Sequence, residues 1–171
     1  MYIDCGSFAI RSWQTGDEQQ LPRYADNKEI WLNLRDRFPH PYTPADAHQW
    51  IEYVLNARPE TNFAITVNGE AVGGIGLLLH DDIERYTAEV GYWLGQPYWG
   101  QGIITHALQA FTDYAMPKFE LNRIYAVPFL RNSASIKVLE KAGYQREGIM
   151  RRSAVKDGQV IDQVMYAYTV S

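Results

Sequence analysis

The sequence contains little cysteine, histidine or positive charge. Its single cysteine, Cys5, excludes an internal disulfide framework. None of the four histidines has a cysteine or histidine neighbour at the spacing of metal ligands, so we predict no metal site. The 16 basic and 20 acidic residues give a formal net charge of -4. This balance provides no basic footprint for phosphate backbones, and we therefore expect no nucleic-acid partner.

Long apolar runs are also missing. No stretch approaches the roughly 20 apolar residues of a membrane-spanning helix, and the first residues show no basic segment followed by a long apolar one. We therefore expect no membrane partner and a cytoplasmic location. The content of 46% hydrophobic and 21% charged residues is ordinary for a packed protein. Because the 171 residues contain no linker or repeat, we predict one domain over residues 1–171.

Hydrophobic periodicity predicts a mixed α/β (α+β) fold with a central sheet of about seven strands and about four helices. Period-two segments predict strands at 7–13, 62–67, 72–79, 87–94 and 122–127, and a C-terminal hairpin from Tyr144 that turns at Asp157-Gly158. Helical spacing and start signals predict helices from Thr15 toward Leu34, from Thr43 to Leu55, from Ile103 to Tyr114 and from Ser133 to Ala142. The central strand, helix and strand favour locally parallel pairing, where we expect the functional chemistry.

The segment 88–108 places a strand, a glycine turn and a helix start in immediate succession. The first amides of a helix have no partners inside the helix, and the helix dipole is positive at that end. A pyrophosphate can accept these N–H groups where side chains do not obstruct it. Gly100 and Gly102 remove such obstruction, although glycines also mark ordinary turns. The spacing alone therefore leaves a plain turn and helix cap as an alternative.

Several segments together resemble the GNAT acyltransferase superfamily, in particular its RimJ/RimL-like branch of ribosomal-protein N-acetyltransferases. Residues 99–104 (WGQGII) occupy the place of the family motif Gln/Arg-x-x-Gly-x-Gly/Ala, which binds the coenzyme A pyrophosphate. Trp99 replaces the usual polar residue there, and Ile104 replaces the usual small one. Residues 131–144 are similar to the family's Asn-x-x-Ser…Lys-x-Gly-aromatic segment, and residues 33–42 to the region that borders the acceptor site.

The resemblance implies that acetyl-CoA is the co-substrate and that an amine is the acceptor, with a protein N-terminal α-amino group expected. It also implies main-chain pairing of pantetheine at the end of the strand before the turn. The implied cofactor-binding residues are Trp93, Leu94, Trp99, Gly100, Gln101, Gly102, Ile103, Ile104, Thr105 and Asn132. A homodimer remains open.

The reaction requires a base because an amine attacks a thioester only in its neutral form. The reference pKa is about 8 for an α-amine and about 10.4 for lysine, so deprotonation at pH 7 costs about 1.4 and about 4.6 kcal/mol. The α-amine is the easier acceptor. Glu89, which lies mid-strand before the turn, is the candidate catalytic base and resembles the family glutamate. A strand glutamate that faces water or pairs with arginine is the alternative. Asp81, Asp82 and Glu147 are weaker candidates.

The thiolate leaving group requires a hydrogen-bond or proton donor. Many family members use a helix tyrosine at the position that is Leu139 here. Ser135 resembles the donor serine of the RimL-like branch and is the second predicted catalytic residue, with Tyr144 as a weaker substitute. Helix capping is the alternative role for Ser135. Asn132 either contacts pantetheine or caps the same helix.

Other functions remain open at this point. The fold class serves many acceptors, so a small amine such as a polyamine, amino acid or antibiotic is the first alternative. A non-catalytic acyl-CoA sensor is the second, motivated by Ile104 and the missing helix tyrosine. Trp31, Trp50 and Phe38 either line an acceptor pocket or belong to the core.

Overall fold

The computed structural model describes residues 1–171 and contains eight strands and five α-helices in a mixed order. The strands are β1 (Tyr2–Asp4), β2 (Ala9–Ser12), β3 (Asn62–Val67), β4 (Glu70–Leu79), β5 (Thr87–Leu94), β6 (Arg123–Ala126), β7 (Gln145–Lys156) and β8 (Gln159–Thr169). The helices are α1 (Leu21–Ala25), α2 (Lys28–Trp31), α3 (Pro44–Asn56), α4 (Ile103–Lys118) and α5 (Ser133–Lys141). The predicted α/β class is confirmed, with one strand and one helix more than expected.

The two extra elements lie near the N-terminus. The strand β1 has only three residues, too few for a recognisable alternation. The helix predicted from Thr15 is instead a 3-10 turn at Asp17–Gln19 followed by α1 and α2. The break has a local cause, because the Asn27 side chain accepts the Glu29 N–H and starts α2 as a separate helix.

The chain forms two compact units, and β4, β5 and α4 contribute residues to both. The first unit comprises Met1–Gly76 and Tyr92–Ala107. Its first four strands pair in chain order, all antiparallel. An Asn68-Gly69 turn, the dipeptide best suited to a tight hairpin, joins β3 to β4 with positive φ angles of 51° and 81°. The Thr43 side chain caps α3, whose buried Ala47, Ile51 and Val54 face the core of this unit.

A buried ion pair ties β2 to the turn before α1. The Arg11 guanidinium donates to both Asp17 carboxylate oxygens at 2.8 Å. Asp17 also accepts the Gln14 N–H at 2.9 Å, and Arg11 donates to the Gly69 carbonyl at 3.2 Å. Because a buried charge without partners is costly, these bonds hold β2 against the turn before α1 and against Gly69 between β3 and β4.

The second unit comprises Leu77–Gly91 and Leu108–Ser171. Strands β5 and β6 pair in parallel, which confirms the predicted local parallel pairing. Strand β8 then pairs antiparallel with both β6 and β7. Asp157 and Gly158 have positive φ angles of 50° and 74° and form the predicted turn of the C-terminal hairpin. The Tyr166 hydroxyl donates to the Glu140 carboxylate at 2.8 Å and so fastens α5 to β8.

No helix of the structure has the length and apolar character needed to cross a bilayer.

Candidate functional site

The turn between β5 and α4, in the first unit, has an open main-chain surface. Gly100 and Gly102 have φ angles of 73° and 76°, a left-handed conformation that favours glycine. A Cβ added at Gly100 would meet no atom within 4 Å. At Gly102 it would meet only the His106 ring, at 3.7 Å. The backbone of this turn is therefore accessible to a ligand.

The amides of the same turn have no protein acceptor. The first hydrogen bond of α4 runs from the His106 N–H to the Gly102 carbonyl at 3.1 Å. No main-chain N–H of residues 100–105 donates to a carbonyl of the protein. These amides lie at the positive end of a 16-residue helix, where an anion is stabilised. The structure thus brings together the predicted residues Gly100, Gln101, Gly102, Ile103, Ile104 and Thr105 in one anion-binding geometry.

Trp99 fastens this turn to the end of β5. Its indole Nε1 donates to the Leu94 carbonyl at 2.7 Å, while 43% of the residue remains exposed. The tryptophan that replaces the family's polar residue therefore directs its only side-chain donor into the protein. The Leu94 carbonyl, at the strand end predicted to pair with pantetheine, accepts this bond, and the pairing with pantetheine stays a prediction.

Residues of α1 and β4 support the start of the turn. The Gly95 N–H donates to the Val72 carbonyl at 2.7 Å, and an added Cβ there would lie 2.8 Å from the Tyr24 ring. Burial raises the pKa of Tyr24, so its hydroxyl stays protonated and donates to Glu70 at 3.1 Å. Close packing therefore requires glycine at position 95.

The aromatic residues of the first unit mostly serve packing. Trp93, predicted to bind the cofactor, packs edge-on against Phe38 with ring centroids 5.6 Å apart. Trp50 packs edge-on against buried Trp13 at 6.2 Å. Trp93, Phe38 and Trp50 are partly buried and pack against the core of this unit, and a role of Phe38 and Trp50 at an acceptor pocket stays a prediction. Trp31 packs against the His40 ring at 5.7 Å.

Glu89 lies on β5 in the second unit. Its register partner is Tyr125 on the parallel strand β6, and both residues are half-buried. The preceding pair, Ala88 and Ile124, is fully buried. The predicted alternation of β5 is therefore confirmed, and Glu89 lies on the less buried face of its strand.

The other carboxylates proposed as bases have different surroundings. Arg123 donates to both oxygens of Glu147, at 2.6 and 2.7 Å. These hydrogen bonds lower the pKa of Glu147, and a carboxylate with a lowered pKa is a weaker base. Asp81 and Asp82 are exposed at the turn between β4 and β5. Glu147 is therefore better explained as a structural ion-pair partner.

Asn132 and Ser135 lie at the start of α5. The Asn132 side chain accepts the Ser135 N–H at 3.2 Å and is the N-cap of the helix. The capping alternative for Asn132 is therefore seen in the structure, and Ser135 contributes its main-chain N–H to this cap. The predicted contacts of Asn132 with pantetheine and of Ser135 with the thiolate stay predictions.

Tyr144 and Leu139, at the two positions where a tyrosine donor to the leaving group was possible, both have structural roles. Tyr144 is 3% exposed, and its hydroxyl is hydrogen-bonded to the Thr112 hydroxyl at 2.8 Å. Leu139, at the family's usual tyrosine position, is fully buried in the core. Neither residue presents a donor to a ligand in this arrangement.

A polar couple beside Glu89 was not predicted from the sequence. His80 Nε2 and the Tyr125 hydroxyl are 2.9 Å apart, and the two rings are nearly parallel at 9° with centroids 5.8 Å apart. Residues 45 positions apart in the chain form this bond. Only the strand register brings Tyr125 next to Glu89, and no local pattern reports that register.

No group of three or more His, Cys, Asp or Glu residues has a geometry suited to a metal ion.

Comparisons with known proteins agree on one family. The family model described as an acetyltransferase (GNAT) domain matches residues 8–145. The uncharacterized N-acetyltransferase p20 of Bacillus licheniformis is 31% identical over 166 residues, which cover 92% of this chain and 90% of that protein. The ribosomal-protein-serine acetyltransferase of Escherichia coli is 31% identical over 105 residues, 61% of this chain and 58% of that protein.

Among solved structures, a ribosomal L7/L12 alpha-N-protein acetyltransferase, RimL, in complex with coenzyme A has the same fold. It aligns with a TM-score of 0.88 and 21% identity over 99% of this chain and 98% of that one. This likeness concerns the fold alone.

The ion pair of Glu147 gives a testable pH dependence. Because its pKa is lowered in the folded state, the charged carboxylate stabilises the fold above the ordinary value of 4.5, and this contribution disappears as the pH falls through the lowered value. We expect Glu147→Gln to lower the free energy of unfolding at pH 7 by up to about 1 kcal/mol, since the pair is partly exposed.

Urea unfolding of parent and variant at pH 7 and at pH 3 measures this difference, which should be smaller at the lower pH. Glu84→Gln, at an exposed position, is the control. A difference that is the same at both pH values would contradict the structural role.

Proposed function

The chain belongs to the GNAT acetyltransferase family, and from this premise we propose that it transfers the acetyl group of acetyl-CoA to a protein N-terminal α-amine. The observation that carries the proposal is the run of unpartnered amides at residues 100–105. The proposal treats residues 1–171 as one acetyltransferase domain, and it keeps the cytoplasm as the compartment.

The first role of the chain is to hold the diphosphate of acetyl-CoA. Its oxygens accept the main-chain N–H groups of residues 100–105, which have no competing acceptor in the protein. The left-handed glycines at 100 and 102 keep side chains off this surface. Main-chain groups of Trp93 and Leu94 pair with pantetheine in the proposal. The Trp99 indole bond to Leu94 fixes the turn for both interactions.

The second role is proton transfer. The Glu89 carboxylate takes a proton from the acceptor ammonium, directly or through a water molecule. The neutral nitrogen then attacks the thioester carbonyl carbon and the carbon–sulfur bond breaks. The second proton, which the nitrogen loses as the amide forms, passes to the departing sulfur, and coenzyme A leaves as the thiol. Ser135 donates a hydrogen bond to the departing thiolate. The engagement of Glu147 with Arg123 and of Tyr144 with Thr112 supports this assignment by removing the nearest alternatives.

The choice of an α-amine as acceptor rests on energetics and on similarity. At pH 7, deprotonation of an α-amine costs about 3 kcal/mol less than that of a lysine side chain. A single partly exposed carboxylate can therefore deprotonate an α-amine more easily than a lysine side chain. The similarity to a protein described as a ribosomal-protein-serine acetyltransferase supports the same acceptor class.

An acceptor panel tests the proposal. Free thiol release from acetyl-CoA is followed with peptides that have a free N-terminus, with the same peptides blocked at the α-amine but carrying a free lysine, and with polyamines and amino acids. We expect turnover with the free N-termini and little with the blocked peptides. A higher kcat/KM for the small amines than for the free N-termini would identify small amines as the acceptor class and contradict the proposal. Binding of acetyl-CoA without any turnover would favour the sensor function.

The anion site is tested by Gly100→Ala. An alanine in a left-handed conformation is strained by about 1–2 kcal/mol, and its Cβ projects into the open space above the amides. We expect an approximately tenfold weaker Kd for coenzyme A by calorimetry, since about 1.4 kcal/mol corresponds to tenfold.

Gly158→Ala is a matched control, because Gly158 has a φ of 74° against 73° for Gly100, and both face open space. The two variants should lose similar stability, and only Gly100→Ala should lose affinity. An unchanged affinity in Gly100→Ala would contradict the site.

The base is tested by Glu89→Gln. We expect kcat at pH 7 to fall by about 10²–10⁴-fold, the usual contribution of a positioned general base. The loss should shrink at high pH, where the acceptor amine is already neutral. The pH profile of kcat for parent, Glu89→Gln and the exposed control Glu84→Gln provides the measurement. Equal rates for parent and Glu89→Gln across the profile would remove Glu89 from the mechanism.

A further inference from the structure

Tyr125 is placed next to the proposed base by the strand register. Glu89 and Tyr125 are Cα partners on the parallel strands β5 and β6. Partners on neighbouring strands, about 4.8 Å apart, project their side chains from the same face of the sheet. The burial of Ala88 and Ile124 on the opposite face fits this arrangement. The side chains of Tyr125 and Glu89 therefore project from the same face of the sheet in the second unit.

His80 fixes the direction of this hydroxyl. Its Nε2 lies 2.9 Å from the Tyr125 oxygen, and its ring lies nearly parallel to the tyrosine ring. The His80 N–H also donates to the Thr87 carbonyl at 3.2 Å, which holds the histidine beside β5. His80 is half-buried and is followed by the exposed residues Asp81 and Asp82. The imidazole thus contacts the tyrosine hydroxyl and belongs to a half-buried residue that adjoins an exposed turn in the chain.

A second contact holds the tyrosine ring itself. The Arg123 guanidinium lies 5.6 Å from the Tyr125 ring centroid. Arg123 is in turn fixed by its two hydrogen bonds to Glu147. The Tyr125 ring is therefore held by two contacts, one with the His80 imidazole and one with the Arg123 guanidinium, which is itself paired with Glu147.

We propose that Tyr125 and His80 form a proton relay that returns Glu89 to its charged form after each transfer. The inference rests on the proposed function, because it takes Glu89 as the base. Protonated Glu89 gives its proton to the Tyr125 oxygen as the tyrosine proton passes to Nε2 of neutral His80. Glu89 is again a carboxylate, Tyr125 is again a neutral phenol, and His80 is an imidazolium. The imidazolium then passes one proton to water, and exchange of its ring protons with water restores the neutral tautomer with an unprotonated Nε2, so the proton taken from the acceptor ammonium ends in the solvent.

The relay assigns positioning roles to residues that do not bind acetyl-CoA. Removing either residue slows the recovery of the base and leaves the diphosphate site unchanged. The expected signature is a lower kcat with an unchanged KM for acetyl-CoA. A merely structural role for the couple would lower stability or affinity instead.

The experiment compares steady-state kinetics of parent, Glu89→Gln, Tyr125→Phe, His80→Ala and the double variant, with circular dichroism to verify folding. We expect Tyr125→Phe and His80→Ala to lower kcat by up to about 10²-fold, the lower end of a positioned acid–base contribution. Added imidazole should restore kcat in His80→Ala, because it supplies the missing acceptor. It should not restore kcat in the double variant, which also lacks the hydroxyl.

Tyr86→Phe and His48→Ala are the controls, since both residues are exposed and lie outside the couple. If the parent transfers no acetyl group, the proposed function fails and the relay fails with it. If the parent is active and Glu89→Gln is impaired, while Tyr125→Phe keeps the parental kcat or imidazole does not rescue His80→Ala, the relay alone is overturned. A raised KM for acetyl-CoA in folded Tyr125→Phe would also overturn it.

Discussion

The left-handed backbone at Gly100 and Gly102 is the constraint on which the functional interpretation depends. It leaves the amides before and at the start of α4 without carbonyl partners, and it keeps side chains away from them. Unsatisfied N–H groups at a helix start require water or a ligand as acceptor. Neighbouring contacts hold this conformation in place: the Trp99 bond to Leu94 closes the turn, and Tyr24 packs where only glycine fits at position 95.

The departures from the family pattern have structural explanations. Trp99 replaces a polar residue and uses its indole nitrogen to hold the turn together, so the amides can act without help from that side chain. Leu139 replaces a tyrosine and fills the core of the second unit, where a hydroxyl would need its own partner. Neither change removes the main-chain donors. Both changes therefore fit an enzyme that depends on backbone groups for its cofactor.

Polar side chains of the second unit divide into two groups. Glu147, Tyr144 and Asn132 are explained by a bidentate ion pair, a buried hydroxyl pair and a helix cap. Glu89 and Tyr125 are register partners on β5 and β6, and His80, which follows β4, contacts the Tyr125 hydroxyl. The proposed chemistry uses residues of the second group, because the contacts of the first group already explain those residues as stabilising the fold.

The sequence by itself determined the α/β class, most long elements and the glycine turn, because periodicity, caps and turn residues act over a few neighbouring positions. The start of α3 after Thr43, the Asn68-Gly69 turn and the bounds of β5 could all be predicted in this way. Only the tertiary structure decided that Glu147 pairs with Arg123 and that His80 meets Tyr125 beside Glu89. These pairs depend on strand register, which is set by the packing of distant segments and leaves no trace in a local pattern.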